Sequence, residues 1–396
     1  MPERWYWLDW LRVLAMGTIF LFHSSRPFDI SAPWHVMNST WDLGFTLFDS
    51  FISGWIMPLF FVISGIAVYS SLARRSASEF ARDRLERLVI PFIFGLFFVL
   101  PVNVYYDAVF HGYFVGDFVS FYLGPYFTKA FPFSVNFSPT YFADSNQGVY
   151  LWYLFWLFIF SIVTVHLFKW LVREGNLNKF SKLHAVCNRR GGILLLAVPV
   201  ILVNIVAVPP FFVFPSGYGG WKLPTYLVLF ITAYVIATNP RFEEAIQKNR
   251  LPTLLLGILT SLLILAVTAV TVGEPTGSGS GSGSGIDTYY VVVSTVWALN
   301  GWCWVTAIIG FGRKHLSFDH KYLKVSNELV LPFYILHQSV IVAVAFYVVS
   351  LDLIVIEKYL LVLLASFPII AVLLYPISKI NVLRLLFGMR MKNRSR

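Results

Sequence analysis

Long apolar runs constrain this chain more than any other feature of its sequence. A helix that crosses a bilayer needs about 20 mostly apolar residues. Only 13% of the 396 residues are charged and the mean hydropathy is +0.70, whereas about 25% are charged in a typical soluble domain. The sequence therefore predicts an all-α polytopic membrane protein with about ten transmembrane helices in one bundle. The ten runs cover approximately residues 5–25, 45–72, 88–110, 149–171, 192–214, 221–239, 251–272, 289–311, 328–350 and 353–377.

The basic residues indicate how the predicted helices are oriented. With the N-terminus placed in the cytoplasm, 25 of the 30 Lys and Arg residues fall on that side, four fall on the other side and Arg12 lies in a span. Basic residues concentrate in cytoplasmic loops, so we expect both termini in the cytoplasm and the chain in the inner (plasma) membrane. Because the basic residues concentrate in alternate loops, we attribute the net charge of +10 to contact with membrane lipid. We do not expect nucleic acid as a partner.

Three segments outside the spans have distinct compositions. Residues 111–148 form an outer loop rich in Phe and Tyr, which fits equally a lid over an outer site and an aromatic anchor among headgroups. Residues 276–286 are a Gly-Ser alternation, which predicts a flexible linker, most simply an engineered replacement of a loop. Residues 378–396 form a basic cytoplasmic tail. We therefore expect a ten-span membrane domain over residues 1–377.

Several kinds of site are poorly supported by the sequence. The two cysteines, Cys187 in a polar loop and Cys303 in an apolar run, form neither a disulfide framework nor a metal-ligand pattern. The chain contains no Gly-x-Ser-x-Gly nucleophile elbow and no Gly-rich phosphate loop. We therefore expect no metal site and no serine hydrolase.

The first apolar run carries three ionisable side chains, Asp9, Arg12 and His23. On an α-helix, the spacing of Arg12 and His23 leaves them about 20° from the same face and about 16 Å apart along the axis. Asp9 shares that face within one turn of Arg12. Ionisable groups inside a bilayer are costly and mark functional sites by default, so we expect a polar stripe with His23 toward the outer half. The alternative is an interfacial ion pair of Asp9 with Arg12 and a histidine at a helix end.

Two further groups are candidates for binding. Arg84 and Arg87 enter the third span from the cytoplasm on one face. They could bind the phosphate groups of a ligand at the membrane surface. The alternative is that these arginines only follow the positive-inside rule and bind no ligand. His337 falls in the middle of the ninth span, where substrate binding or a proton network with His23 competes evenly with structural hydrogen bonding.

Five short motifs occur in order along the chain: Asp9-x-x-Arg12 followed by ten residues and His23, FFVISGIAVYSS, the Arg84-x-x-Arg87 pair, GVYLWYL and FYILHQSVIV. Together they resemble the membrane acyltransferase-3 family over essentially the whole chain. Within that family, LDWLRVLA, LVIPFIFG and LPFYILHQ are most similar to the branch that includes the glucans biosynthesis protein C succinyltransferases.

The resemblance implies transfer of an acyl group, acetyl or succinyl, from cytoplasmic acyl-CoA to a hydroxyl of an extracytoplasmic carbohydrate such as a periplasmic glucan. The catalytic histidine would act as a general base or carry the acyl group itself. The resemblance makes His23 the catalytic residue and puts Arg12, Arg84 and Arg87 on the acyl-CoA side. We also expect Asp9 to be catalytic and His337, Tyr334 and Trp152 to bind substrate.

A transporter or flippase for a saccharide or lipid-linked substrate is the alternative class. Asp9, Arg12 and His337 would then line a proton or substrate pathway. Ten spans suit this class equally, but the two halves lack an inverted pair of Gly- or Pro-broken segments, which is the cue expected of many transporters. An unrelated membrane-bound acyltransferase with an intramembrane histidine would share the reaction without the motif order. The acyl group, the acceptor and a homo-oligomeric state stay open.

Overall fold

The structure is a computed structural model, and it describes residues 4–31, 33–130, 150–172, 181–207, 216–272 and 287–392. These residues are mainly helical and contain one small antiparallel sheet of two strands. The α-helices are α1 (Tyr6–Ser25), α2 (Leu43–Ser53), α3 (Ile56–Leu72), α4 (Ala77–Arg84), α5 (Ile90–Phe94), α6 (Leu100–Phe110), α7 (Phe118–Phe121), α8 (Trp152–Leu171), α9 (Ser181–Cys187), α10 (Ala197–Val206), α11 (Leu223–Ala237), α12 (Pro240–Thr271), α13 (Thr288–His315), α14 (Leu323–Val348), α15 (Val355–Lys379) and α16 (Asn381–Leu386). The other elements are the 3₁₀ turns Arg26–Phe28 and Gly192–Leu196, the π-helical segments Leu85–Val89, Gly95–Val99 and Tyr122–Ala130, and the strands β1 (Ser216–Tyr218) and β2 (Trp221–Lys222).

Seven helices in the described part of the chain are long and apolar enough to cross a membrane: Leu43–Leu72, Ala77–Phe110, Trp152–Leu171, Pro240–Thr271, Thr288–His315, Leu323–Val348 and Val355–Lys379. The predicted runs 192–214 and 221–239 correspond to the shorter apolar helices Gly192–Val206 and Leu223–Ala237. The first predicted run is the 20-residue helix α1. An all-α membrane protein is therefore confirmed, whereas the count of ten spans, the single bundle and the cytoplasmic termini stay predictions.

Parts of the three compositionally distinct segments lie outside the described residues. They are residues 131–148 of the outer aromatic loop, the whole Gly-Ser linker 276–286, and residues 393–396 of the basic tail. The described start of the outer loop contains α7 and the π-helical segment after it, and the described part of the tail contains α16.

The chain forms two compact units. The first unit comprises Met1–Ala15, Ser50–Phe80 and Phe160–Leu323, and the second unit comprises Met16–Asp49, Ala81–Ile159 and Lys324–Arg396. Helices α1, α2, α4, α8 and α14 each contribute residues to both units, although α14 contributes only Leu323 to the first.

Small and amide residues bring helices of the first unit together. Gly65 of α3 lies against the backbone of α11, because a Cβ at this position would lie 2.8 Å from Ala233 Cβ and would also meet the carbonyl oxygen of Phe230. Asn300 of α13 donates through Nδ2 to the Gly257 carbonyl oxygen of α12 at 3.1 Å. Polar groups in a bilayer must find partners within the protein. These contacts therefore fix α3 to α11 and α13 to α12.

The long helix Ala77–Phe110, which belongs to the second unit from Ala81 onward, contains two π-helical segments. In each, the closing N–H donates to the carbonyl oxygen five residues earlier. Pro101 follows the second segment and has no N–H to donate, so the Leu96 carbonyl oxygen receives no bond from that position. The hydroxyl of the buried Tyr126 donates to this oxygen at 2.5 Å. An aromatic side chain from the next segment thus satisfies the carbonyl that the π-helical turn exposes.

Hydroxyl groups bind the middle of α14 to the irregular helix and to Tyr150. Ser339 Oγ donates to the Val99 carbonyl oxygen at 3.0 Å. The Tyr150 hydroxyl donates to the Ile335 carbonyl oxygen at 2.5 Å and lies 3.2 Å from Ser339 Oγ. These bonds fix the turn of α14 that carries His337.

Candidate active site

Two histidines from distant parts of the sequence face each other in the second unit. His23 lies in the last turn of α1 and His337 in the middle of α14, with ring centroids 5.1 Å apart. His337 is fully buried and His23 is half-buried. Within the described residues, neither His23 Nδ1 nor His337 Nε2 has a hydrogen-bond partner. Each ring therefore has one nitrogen available to a bound molecule.

A hydrogen bond defines the tautomer of His337. Its Nδ1 lies 2.6 Å from the Tyr334 carbonyl oxygen. A carbonyl oxygen can only accept, so Nδ1 carries the proton and donates. In the neutral ring Nε2 then carries a lone pair. The structural hydrogen bond considered for His337 is present, and the nitrogen that it leaves available is an acceptor.

Aromatic rings surround the histidine pair. The buried Trp34 stacks on His23 with the centroids 6.4 Å apart and the planes 18° from parallel. Tyr334 and Tyr150 lie 5.7 and 5.9 Å from His337 by ring centroid. The Tyr334 hydroxyl donates to the Tyr150 carbonyl oxygen, so this predicted substrate-binding side chain lies beside His337 but uses its hydroxyl to hold the backbone.

The other predicted aromatic residue, Trp152, lies at the start of α8. Its ring meets Tyr153 edge to face at 6.4 Å, and Tyr153 meets Tyr334 at 5.9 Å. One ring, that of Tyr153, thus separates Trp152 from Tyr334 in this series of contacts. Its role in binding substrate stays a prediction.

A third histidine, which the sequence analysis missed, belongs to the same site. His35 Nδ1 lies 2.6 Å from Asp107 Oδ2, and His35 Nε2 lies 3.1 Å from Gln338 Nε2. All three side chains are buried. Trp34, which stacks on His23, lies 5.5 Å from His35 by ring centroid, and Gln338 directly follows His337. The loop between α1 and α2 thus brings a buried carboxylate, imidazole and amide into one series.

The sequence gives little indication that His35, Asp107 and Gln338 lie together. The partners of His35 lie 72 and 303 positions away, so no local spacing connects them. A carboxylate at the end of an apolar run, Asp107, is the single feature that could have drawn attention. Asp107 also lies 2.9 Å from Nδ1 of His111, just beyond α6. The close approach of this carboxylate raises the pKa of His111 above its ordinary value.

The turn that follows α1 is both charged and buried. Arg26 forms an ion pair with Asp29 and lies 3.7 Å from Asp49. Ser25 Oγ donates to Asp49 Oδ1. Charges taken out of water are stable only when they are paired and hydrogen-bonded. This cluster therefore fixes the end of α1 and with it the position of His23.

Asp9, predicted as catalytic, lies between two arginines of the first unit. Its carboxylate oxygens are 2.8 Å from Arg4 Nη2 and 2.9 Å from Arg12 Nη1. The contact between Asp9 and Arg12 is the ion pair that the sequence suggested as the alternative to a functional role. The catalytic role of Asp9 and the acyl-CoA-binding role of Arg12 stay predictions.

The other two predicted acyl-CoA-binding arginines lie near the start of the Ala77–Phe110 helix. Arg84 ends α4, and Arg87 lies in the first π-helical segment with its Nε 3.3 Å from Asp83 Oδ1. Arg12 belongs to the first unit and Arg84 and Arg87 to the second, so their convergence on one ligand stays a prediction. Across the described ranges, no group of three or more His, Cys, Asp or Glu side chains is arranged to hold a metal ion.

The fold and the site define a helical membrane protein with two facing histidines. Residues 5–376 match the acyltransferase-3 family model, described as an acyltransferase domain. The chain belongs to the acyltransferase-3 family and is a membrane acyltransferase.

Two curated relatives carry the same name. Glucans biosynthesis protein C of Escherichia coli K12 is 36% identical over 91 residues, which cover 23% of each chain. Glucans biosynthesis protein C of Shigella dysenteriae serotype 1 is 24% identical over 338 residues, which cover 80% of this chain and 77% of the relative. No solved structure matches the chain. The family resemblance read from the five motifs is thus confirmed.

Proposed function

We propose that this membrane acyltransferase transfers an acetyl or succinyl group from cytoplasmic acyl-CoA to a hydroxyl of an extracytoplasmic carbohydrate such as a periplasmic glucan. The family supplies the acyl transfer, and the name of the relatives favours a glucan as acceptor. One observation carries the proposal. His23 and His337 face each other, and each has one ring nitrogen without a partner among the described residues.

An imidazole with an available lone pair can take the proton of an acceptor hydroxyl while the oxygen attacks the thioester carbon. The carbon–oxygen bond forms, the carbon–sulfur bond breaks, and the proton passes from the imidazole to the CoA thiolate. We assign this base to His23, the histidine that the family resemblance makes catalytic, and His337 Nε2 would accept a hydrogen bond from the substrate. General-base catalysis contributes about 10²- to 10⁴-fold in rate. His337, Tyr334 and Trp152 would then bind the substrate.

The donor would be bound through its phosphate groups. Guanidinium groups form paired hydrogen bonds with phosphate oxygens, which supports Arg84 and Arg87 as acyl-CoA-binding residues. Arg12 would contribute the same charge, and Asp9, 2.9 Å from it, would act by orienting it. This arrangement puts the donor on the predicted cytoplasmic side of the membrane.

Reconstituted protein in liposomes tests the proposal. Labelled acetyl-CoA or succinyl-CoA is supplied with a soluble glucan oligosaccharide, and covalent label on the glucan is measured. We expect His23→Ala to lower the transfer rate by at least about 10²-fold, the lower end of general-base catalysis. The matched control is His166→Ala, which removes an exposed histidine of α8 and leaves transfer unchanged.

The possible outcomes separate the candidate classes. Normal transfer by His23→Ala would overturn the assignment of the base. Movement of a saccharide across the bilayer without covalent label would favour the transporter class. Label that remains on the protein without acceptor, and is lost in His23→Ala, would indicate that the imidazole carries the acyl group.

A further inference from the structure

Gln338 is held in one orientation by two buried neighbours that the proposed reaction does not use. The Asp107 carboxylate accepts hydrogen bonds, so the His35 Nδ1 that faces it at 2.6 Å carries the proton. In the neutral ring His35 Nε2 is then an acceptor, and it takes a bond from the amide nitrogen of Gln338 at 3.1 Å. The amide nitrogen of Gln338 therefore faces His35, and the amide oxygen points away from His35.

That oxygen is a buried acceptor. Gln338 is 3% exposed, and its Oε1 has no hydrogen-bond partner in the part of the chain that the structure describes. Burying an acceptor without a donor is unfavourable, and such groups in native proteins generally have partners. The adjacent His337 presents a second acceptor, Nε2, in the same state. Two neighbouring acceptors of this kind favour a ligand that is rich in O–H donors.

Asn103 adds to this polar lining. It is fully buried, and neither its Oδ1 nor its Nδ2 has a partner among the described residues. It lies one helical turn before Asp107 on α6 and therefore shares its face. The carbonyl of Val99, one turn earlier, receives the bond from Ser339. Asn103 thus lies between Val99, which accepts the bond from Ser339 of α14, and Asp107, which holds the His35 that contacts Gln338.

We propose that Gln338 is an acceptor-binding residue whose Oε1 accepts a hydrogen bond from a saccharide hydroxyl other than the one that is acylated. His35 and Asp107 are positioning residues that hold the amide in this orientation. The inference rests on the proposed function, because it gives the carbohydrate acceptor a place beside His23 and His337. Polarity supports a saccharide hydroxyl over the transferred acyl group here, since an acetyl group offers no hydrogen-bond donor and a succinyl carboxylate only accepts.

Equilibrium dialysis of a labelled glucan oligosaccharide against the full chain in nanodiscs, without acyl-CoA, tests the proposal. Gln338→Leu removes the oxygen, and we expect Kd to rise about three- to tenfold, the range of one hydrogen bond. Gln338→Met, which keeps the length of the side chain, gives the same rise. The matched control is Gln247→Leu, which removes another helical glutamine, one that donates to the Gly310 carbonyl oxygen. Its Kd stays within about twofold of the unaltered chain.

The positioning role is tested by a double variant. His35→Phe removes the partner of the amide but leaves the oxygen, so Kd rises less than in Gln338→Leu. If His35 acts only through Gln338, the double variant binds as weakly as Gln338→Leu alone, because the two effects are not additive. Additive losses would overturn the positioning role of His35.

The failure of this inference can be distinguished from the failure of the proposed function. Glucan binding that is unchanged in both Gln338 variants, together with loss of transfer in His23→Ala, would overturn the role of Gln338 alone. The absence of glucan binding by the unaltered chain would overturn both. Thermal unfolding of each variant in nanodiscs, compared with Gln247→Leu, identifies a loss of binding that is caused by unfolding, and Gln338→Met then decides the result.

Discussion

The contact between α3 and α11 makes a sharp prediction about stability. Gly65 has no room for a side chain, since an added Cβ would lie 2.8 Å from Ala233 Cβ and would also meet the backbone carbonyl of Phe230. Carbon atoms in contact prefer a separation of about 3.5–4.0 Å, so Gly65→Ala requires the two helices to separate by about 1 Å. A backbone carbonyl cannot rotate away as a flexible side chain can. We expect a loss of about 1–3 kcal/mol of folding free energy, the usual cost of overpacking.

A second glycine provides the control. Gly17 lies inside α1, and no heavy atom of the described residues lies within 4 Å of a Cβ added there. Gly17→Ala is therefore expected to gain about 0.5–1 kcal/mol from the lower conformational entropy of alanine in the unfolded chain. The measurement is the half-unfolding temperature of each purified variant in nanodiscs, followed by circular dichroism. Equal temperatures for the two variants would refute the close approach of α3 and α11.

Two further predictions concern histidines of the second unit. His337→Asn retains a donor for the Tyr334 carbonyl oxygen but loses the second nitrogen, so it should fold normally and weaken acceptor binding, as a rise in KM; normal KM would contradict a role for Nε2. Because the Asp107 carboxylate raises the pKa of His111 above its ordinary 6.5, the protonated ring stabilises the fold. This stabilisation is fully present below about pH 6.5 and is lost as the pH rises through the raised pKa. His111→Gln should therefore unfold at a lower temperature than the unaltered chain at about pH 5.5 and at the same temperature at about pH 9, and an equal difference at both would contradict it.

The part of the site that could be predicted consists of residues whose own position is unusual. His23 and His337 were found because an imidazole within an apolar run is costly unless it faces the protein interior, and that cost is visible in the sequence. The structure brings their rings to 5.1 Å. The sequence could not reveal which tautomer His337 adopts, because that depends on the Tyr334 carbonyl oxygen within its own helix.

Other parts of the site depend on contacts between distant residues. His35 lies in a loop, and its partners Asp107 and Gln338 are far from it along the chain. Loop sequences lack the hydrophobic periodicity of helices and strands, so no spacing rule predicts that His35 contacts Asp107 and Gln338. Trp34 was missed for the same reason, although it stacks on His23.

The apolar runs gave the helical fold but not the number of membrane-crossing helices. Hydropathy identifies where apolar residues are concentrated, and α12 and α15 are both long apolar helices at predicted runs. It does not reveal where a helix ends within a run. The helices Gly192–Val206 and Leu223–Ala237 are shorter than the runs that predicted them, and length is the criterion that a span must satisfy.

The two π-helical segments of the Ala77–Phe110 helix have a consequence for its evolution. A π-helical turn holds one residue more than the α-helical turn that it replaces, and one more residue in a regular α-helix would rotate everything after it by about 100°. Two such turns therefore change the predicted position of the end of the helix by about 200°. A helical wheel drawn from Arg84 as a regular α-helix would put Asp107 on nearly the opposite side from where it lies. A one-residue deletion in either segment would restore a regular α-helical turn there and leave Asp107 facing His35, because the turn then closes with one residue fewer. The two π-helical segments therefore lengthen the sequence of this helix by two residues without turning its end, so the helix can gain or lose a residue at these turns while the carboxylate keeps its position.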